Sequence, residues 1–442
     1  MIDIGRLREG LATASLSKVR GRVTQVVGPL LEAELPGARL GALCTVAGDR
    51  PCEIVGFRGQ RALLTPLGSV VGIAHGEVVE VSDQALLTPV GPDLLGRVVD
   101  ALGRPMDGRP LVASRRRPII ADAAPPMQRD LLSEQLPTGV RLIDGAMPLA
   151  RGQRVSIAAG SGVGKSTLLG MLARFVECDV VVVCLVGERG REVREFVEDN
   201  LGEEGLKRAV VVVATSDQTP AVQVKAPLTA TTIAESFRDE GKSVLLLVDS
   251  LTRLALAQRQ IGLAAGEPPT TRGYTPSVFA SLAPLLERAG PGTNGGSISA
   301  IYTVLVEADD ENDPIADAVR GIVDGHVVLS RAMASKGHYP AIDLLASLSR
   351  VASRVAAPDH LDAATRMRRL LATWRENEEL VRLGAYRAGA SAEVDEAMAR
   401  YPHLSAWAQQ DPAERIDPAL SVRQLKQVVG AMDRAAGSST RR

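Results

Sequence analysis

The stretch Ala159-Gly160-Ser161-Gly162-Val163-Gly164-Lys165-Ser166-Thr167 restricts the possible folds more than any other part of this chain. An alternating apolar run, Arg154-Val155-Ser156-Ile157-Ala158, leads into it, and Leu168-Leu169-Gly170-Met171-Leu172-Ala173 leads out. The order is strand, glycine loop, helix, which is the setting of a phosphate-binding P-loop. Glycines let the backbone turn its N–H groups inward, and the helix N-terminus brings the positive end of its dipole to the same point. A nucleoside triphosphate fits such a cradle: Lys165 would reach the β and γ phosphates, and the Ser166 hydroxyl would coordinate Mg2+. Without that context the same residues would be a glycine-rich turn with a solvated lysine. Ala159 replaces the first glycine of the G-x-x-x-x-G-K-[ST] pattern; alanine accepts the strand-like angles expected there, so the loop is expected to form. The spacing Gly160-x-Gly162-x-Gly164 is not a dinucleotide fingerprint, because Lys165 occupies the helix start.

At 442 residues the chain is long enough for two or three domains. Its 51 basic and 52 acidic residues nearly cancel, so no global field favours nucleic acid or an anionic membrane. Aromatics at 3% leave few platforms for stacking bases. Cys44, Cys52, Cys178 and Cys184 have neither zinc spacing nor a CxxC pair, and read as reduced thiols of a cytoplasmic protein. The densest apolar run, Val180-Val181-Val182-Val183-Cys184-Leu185-Val186, falls short of the roughly 20 residues that span a bilayer and reads as a buried strand. Asp3, Arg6, Arg8 and Glu9 stand where a signal peptide needs its apolar segment. Ile4, Leu7, Leu11 and Ala14 fall instead at helical spacing among basic residues. Residues 1–18 therefore read as a helical segment that docks on a partner or a lipid surface, or as a frayed terminus.

From Val19 to about Ser82, short β-branched runs alternate with turn signals, which predicts a small β-barrel of five or six strands, assigned to residues 19–90. His75 reads as a turn residue rather than a metal ligand, and Arg115-Arg116-Arg117-Pro118 as a solvated loop. Between residues 150 and 335, within a nucleotide-binding domain assigned to residues 91–350, buried strand patterns alternate with helical ones, so the fold class is α/β with a mostly parallel sheet. Strands are expected near Val180 to Val186, Ala209 to Ala214, Ser243 to Val248, Ser297 to Leu305 and Val327 to Leu329. Residues 351–442 read as a helical domain, with helices over Leu361 to Leu383, Ala392 to Arg400 and Pro418 to Ala436 and a disordered tail from Gly437.

In a parallel sheet, chemistry collects at the carboxyl ends of strands, and two of these ends carry acids. In Val186-Gly187-Glu188-Arg189-Gly190-Arg191-Glu192 the candidate for orienting and polarising an attacking water is Glu188, while Glu192, a helical turn on, would hold water ligands of Mg2+. Taken alone, this segment would be an ion-paired loop among Arg189, Arg191 and Arg194. Val244-Leu245-Leu246-Leu247-Val248-Asp249 has the hydrophobic-strand-then-Asp form of a Walker B element. That pattern is weak alone because helix caps produce it, and strong downstream of a P-loop in the same sheet.

These residues resemble the catalytic ATPases of type III protein export, relatives of the rotary ATP synthase catalytic subunits. The resemblance is carried by AGSGVGKST at 159–167, VGERGREV at 186–193, LLLVDSLTRLALAQR at 245–259, GEPPTTRGYTPSVFASLAPLLERAG at 266–290, DDENDPIADAVRGIVDGHVVLSR at 309–331 and HYPAIDLLASLSR at 338–350. It implies a RecA-like nucleotide-binding domain in a homohexameric ring, with ATP and Mg2+ between neighbouring subunits. Glu188 then looks like the water-activating carboxylate, Asp249 like the holder of Mg2+-bound water, and Arg350 like an arginine finger offered to the neighbour's γ-phosphate. Such a group contributes on the order of 10^3 to 10^5 in rate. Tyr339 and Tyr386 look like adenine-packing aromatics; by themselves both would pass as core tyrosines. The family commonly has arginine where this chain has Gln223, which brings no charge and implies weaker γ-phosphate sensing unless Lys225 compensates. Implied partners are a stator or regulator protein at residues 1–18, an export gate at the inner membrane, and export substrates with their chaperones, with no nucleic acid. The implied location is cytoplasmic, peripheral to the inner-membrane export apparatus.

Within the resemblance, Arg375-Glu376-Asn377-Glu378-Glu379-Leu380-Val381-Arg382-Leu383-Gly384-Ala385-Tyr386 looks like the export ATPases and replaces the acidic lever loop of the synthase subunit. Injectisome relatives commonly carry glutamate at the place of Ala385, so the flagellar export ATPase is the expected member and the virulence injectisome ATPase the alternative. A non-catalytic nucleotide-binding subunit would lack the carboxylate that Glu188 provides. An RNA-translocating hexamer would need a basic, aromatic-bearing barrel, whereas residues 19 to 82 hold one aromatic, Phe57.

Overall fold

The computed structural model describes residues 19–82, 85–306 and 312–430. The expected N-terminal helical segment and the C-terminal tail lie outside the described residues. The first strands are β1 (Arg20–Val27), β2 (Leu30–Glu34), β3 (Leu43–Val46), β4 (Arg50–Arg58), β5 (Arg61–Pro66) and β6 (Val78–Ser82). They close into an antiparallel barrel in the order β1-β2-β5-β4-β3-β6, which is the expected small barrel. Val23, Leu31, Cys44, Ile54, Leu64 and Val79 fill its interior. Closure demands glycine at Gly21, where an added Cβ would lie 1.8 Å from the Glu34 carbonyl oxygen on β2.

β7 (Leu87–Val90) pairs with β9 (Arg115–Pro118), so the three arginines form a strand where a loop was expected. Acids distant in sequence hold that strand: Arg117 bonds Asp239 at 2.6 Å and Arg115 pairs with Glu240, both just beyond the helix Pro220–Arg238. Further on, β10 (Gln135–Leu136) pairs with β11 (Leu149–Ala150).

The main sheet is built from β8 (Arg97–Asp100), β12 (Arg154–Ala159), β13 (Val180–Glu188), β14 (Ala209–Thr215), β15 (Ser243–Asp249), β16 (Gly290–Pro291), β17 (Ser297–Leu305), β18 (Gly325–Val328) and β19 (Leu348–Ser349). Its order is β19-β18-β12-β17-β15-β13-β14-β8, parallel except at β19 and at β16, which adds to β17. Both faces are covered, which is why β13 reads as an unbroken apolar run. Val181, Val183 and Leu185 join the core beneath the P-loop helix Lys165–Phe175. Val182, Cys184 and Val186 join the core beneath Pro220–Arg238. Three helices, Pro358–Arg382, Ala392–Ala408 and Pro418–Val428, make the C-terminal layer, and Met367, Leu404, Trp407 and Leu425 merge it with the first of those cores. The barrel is tied to the sheet domain by a buried ion pair, Lys225 to Glu53 at 2.5 Å. All four cysteines are free. No described helix is long and apolar enough to cross a membrane.

Candidate active site

Strand β12 ends at Ala159, which keeps strand geometry without glycine. The chain then turns through Gly162 (φ 77°) and Gly164 (φ 90°), left-handed angles that L side chains resist. Val163, between them, is buried in the core and anchors the loop. Gly164 caps the P-loop helix, and the ring of Tyr339 lies against it, 3.3 Å from where a Cβ would stand. Gly160, Ser161, Gly162, Gly164, Lys165, Ser166 and Thr167 line one wall of a cavity of about 650 Å3. Glu188, Glu192, Arg253 and Arg331 line the same cavity, so the loop opens onto acids and arginines together.

Glu188 reaches this cavity through an irregularity in β13. Val186 pairs with Ala214 and Glu188 with Thr215, so Gly187 bulges out of the ladder and re-aims the carboxylate. Gly187 has φ 67°, and the Arg253 side chain packs over it, 3.1 Å from a notional Cβ. Lys165 Nζ lies 3.9 Å from Glu188 Oε1. Burial first, then a hydrogen bond to Glu192 and the charge of Asp249, push the Glu188 carboxyl up to about 7, against the pull of Lys165. Glu192 moves the opposite way, held below its ordinary value chiefly by that same hydrogen bond. A carboxylate poised near neutrality at a strand end is suited to accepting a proton from water.

Asp249 closes β15 and is 5% exposed. It pairs with Lys165, and Thr303 Oγ1 donates to its Oδ1 at 2.6 Å. Lys165, Glu188 and Asp249 therefore meet at the ends of neighbouring strands. Ser166 is open to the cavity beside them. Hydroxyl and carboxylate oxygens of this kind fit Mg2+, which takes few protein ligands and keeps its waters and phosphate oxygens. The open glycine cradle fits a triphosphate: nothing stands within 4 Å of a notional Cβ on Gly162.

The other expected site residues do not line this cavity. Tyr339 is 42% exposed against the loop, as an adenine-packing ring would need to be. Tyr386 does not line the cavity; its hydroxyl lies 3.0 Å from both the Ser391 carbonyl and Asp395 Oδ1, at the start of Ala392–Ala408. Arg350 follows the edge strand β19, is exposed, and donates to the Arg320 carbonyl at 3.1 Å, outside its own chain's cavity. Gln223 donates to the Gln218 carbonyl at 3.0 Å, and Lys225 is consumed by Glu53, so Lys225 is not placed to supply the missing charge. Arg253 and Thr303 were not singled out from sequence. Arg253 sits in the helix that begins two residues after Asp249, and Thr303 near a strand end, positions that the strand-end rule could have reached.

What gathers at the carboxyl edge of this sheet is a glycine cradle that fits a triphosphate with a lysine and two carboxylates beside it, and the class it defines is the P-loop ATPase. Residues 139–349 match the nucleotide-binding domain of the ATP synthase alpha/beta family, and residues 356–427 match the T3SS EscN ATPase C-terminal domain. The chain is 49% identical over 426 residues to the flagellum-specific ATP synthase of Bacillus subtilis, covering 95% of each. It is 53% identical over 400 residues to the type 3 secretion system ATPase of Xanthomonas euvesicatoria, covering 89% of this chain and 90% of that one. Its fold superposes on the assembled ATPase EscN of the enteropathogenic E. coli type III secretion system with a TM-score of 0.89 and 42% identity, covering 92% of this chain and all of that one. The chain belongs to the ATPases of type III secretion and flagellar protein export.

Proposed function

We propose that this ATPase works as a homohexameric ring that hydrolyses ATP at subunit interfaces to drive export of flagellar components. The observation that carries the reading is the convergence of Lys165, Glu188 and Asp249 at adjacent strand ends, while Arg350 stands exposed on the sheet's outer edge, away from its own cavity. In this reading Lys165 leaves Asp249 for the β and γ phosphates. Glu188 orients water and takes its proton as the γ-phosphoryl bond to ADP breaks, and Arg350 of a neighbouring subunit neutralises charge on the transferring group. Mg2+, held by Ser166 and by waters on Asp249 and Glu192, would supply charge neutralisation on the phosphate oxygens. Ring assembly is supported by the likeness to the assembled EscN, which has also been seen in complex with its central stalk EscO. The stator or regulator, the export gate, the substrates and their chaperones are assigned as partners from family resemblance, with a cytoplasmic site of action at the inner membrane.

Ala385 between Gly384 and Tyr386 supports the flagellar assignment. The 53% identity to the Xanthomonas protein favours the second reading, an injectisome ATPase. The test is swimming and flagellin secretion in cells whose only copy carries Glu188→Gln, with respiratory growth as control. Lost motility and secretion with normal growth is the expected result. Unchanged flagellin export would move the assignment to the injectisome, and a respiratory defect to ATP synthesis.

A further inference from the structure

We propose that Thr303 is a positioning residue for the reaction, fixing the Asp249 carboxylate from below and keeping it fixed after Lys165 has moved to the phosphates. The inference rests on the reading of Asp249 given above. Strand β17 runs parallel to β15 with Tyr302 level with Val248, so Thr303 comes level with Asp249. Along β17 the side chains alternate: Ala300, Tyr302 and Val304 enter the core beneath Pro220–Arg238, and Ile301 enters the core beneath the P-loop helix. Thr303 shares the side of Ile301 by that alternation and is 0% exposed. Valine has the same shape and would fill this place. A buried hydroxyl is costly unless it is bonded, so packing does not account for a threonine here.

Its partners do. Thr303 Oγ1 lies 2.6 Å from Asp249 Oδ1 and 3.4 Å from the Val248 carbonyl. A hydroxyl has one proton, and the short contact to a charged acceptor takes it. Lys165 holds the same Oδ1. Both protein donors thus sit on one oxygen, Oδ1. The two donors differ in permanence. Lys165 rides on the loop-helix junction and is called away by phosphate, whereas Thr303 is fixed in a central strand. Once Lys165 leaves, the hydroxyl alone sets which way the carboxylate turns and holds its charge in place, which is the role that outer partners of metal-site carboxylates perform.

The test uses the full-length protein and needs no turnover: binding of a fluorescent ADP analogue is titrated against Mg2+ for the wild type, Thr303→Val, Thr303→Ser and Asp249→Asn. Thr303→Val is expected to raise the Mg2+ concentration for half-maximal binding about 10-fold to 100-fold, the range for loss of such a partner, with Mg2+-free nucleotide affinity unchanged. Thr303→Ser keeps the hydroxyl and is expected to stay within about threefold of wild type. An unmoved midpoint in Thr303→Val while Asp249→Asn shifts it overturns the role of Thr303, and so does a Thr303→Ser that behaves like valine. A midpoint unmoved in Asp249→Asn sinks the underlying reading of Asp249 instead. If the valine variant melts before it can be titrated, Thr303→Ala is read by the same criteria.

Discussion

Replacing Glu192 by glutamine tests what holds the Glu188 carboxyl above its ordinary value. In the free protein the Glu188 carboxyl sits at about 7 because burial, the hydrogen bond to Glu192, and the charges of Asp249 and Glu192 all favour its protonated form. Glu192→Gln removes the charge of the acceptor and offers an amide that donates to the ionised form, so two of the four raising effects go. Burial and Asp249 remain, which keeps Glu188 above an ordinary glutamate. A fall of about one unit corresponds to about 1.4 kcal/mol. A base must be ionised to act, so activity rises with pH through its pKa. At pH 6 a group titrating at about 7 is ionised in about one molecule in eleven, and one titrating at about 6 in half of them. The acidic limb of kcat/KM, which reports the free enzyme, is therefore expected to shift down. Relative to its own plateau, the variant should be about fivefold more active than wild type at pH 6. The plateau itself falls if Glu192 also holds metal-bound water, so the normalised profile is the quantity to read. A limb that stays in place or moves up would refute the reading that Glu192 holds the Glu188 carboxyl above its ordinary value.

Lys225→Met strands the buried Glu53 carboxylate between barrel and sheet domain and is expected to destabilise the fold by about 3–5 kcal/mol in chemical denaturation, whereas Lys225→Met with Glu53→Met should recover most of it. Both results matter, since equal losses in the single and double variants would mean that packing rather than charge pairing joins the two units. Arg350→Ala is expected to cut turnover by about 10^3 or more without weakening nucleotide binding; specific activity of the wild type that stays flat on dilution would argue against a finger supplied by a neighbouring subunit. Gln223→Arg is expected to leave turnover unchanged or raise it, because the Gln223 amide donates to the backbone carbonyls of Thr215 and Gln218 at and just past the end of β14. A large loss in steady-state ATPase assay would show that those carbonyl contacts shape the site.

Features readable in the sequence are those whose cause lies within a few residues. The run from Val180 to Val186 declares a strand buried on both faces because each residue meets one of two cores. The P-loop declares itself because Gly162 and Gly164 take left-handed angles that the local sequence alone demands. Features that escaped depend on partners far along the chain. Arg115 to Pro118 looks like a solvated loop until Asp239 and Glu240 are placed beside it. Lys225 looks like a spare cation two residues from Gln223 until the barrel brings Glu53 to it. Glu188 combines both cases: its place at a strand end is local, but its raised carboxyl is set by burial and by Glu192, Asp249 and Lys165 arriving from three other elements. The same division explains Thr303 and Arg350. A threonine in an apolar strand carries no local signal, and acquires one only when β17 lies against β15 and a carboxylate comes level with it. Arg350 is one step further removed, because the group it would serve belongs to no part of its own chain. A monomer displays it as an exposed cation just past an edge strand, bonded to a carbonyl and outside its own cavity. Its work has to be sought in how the rate depends on assembly rather than in any contact within one subunit.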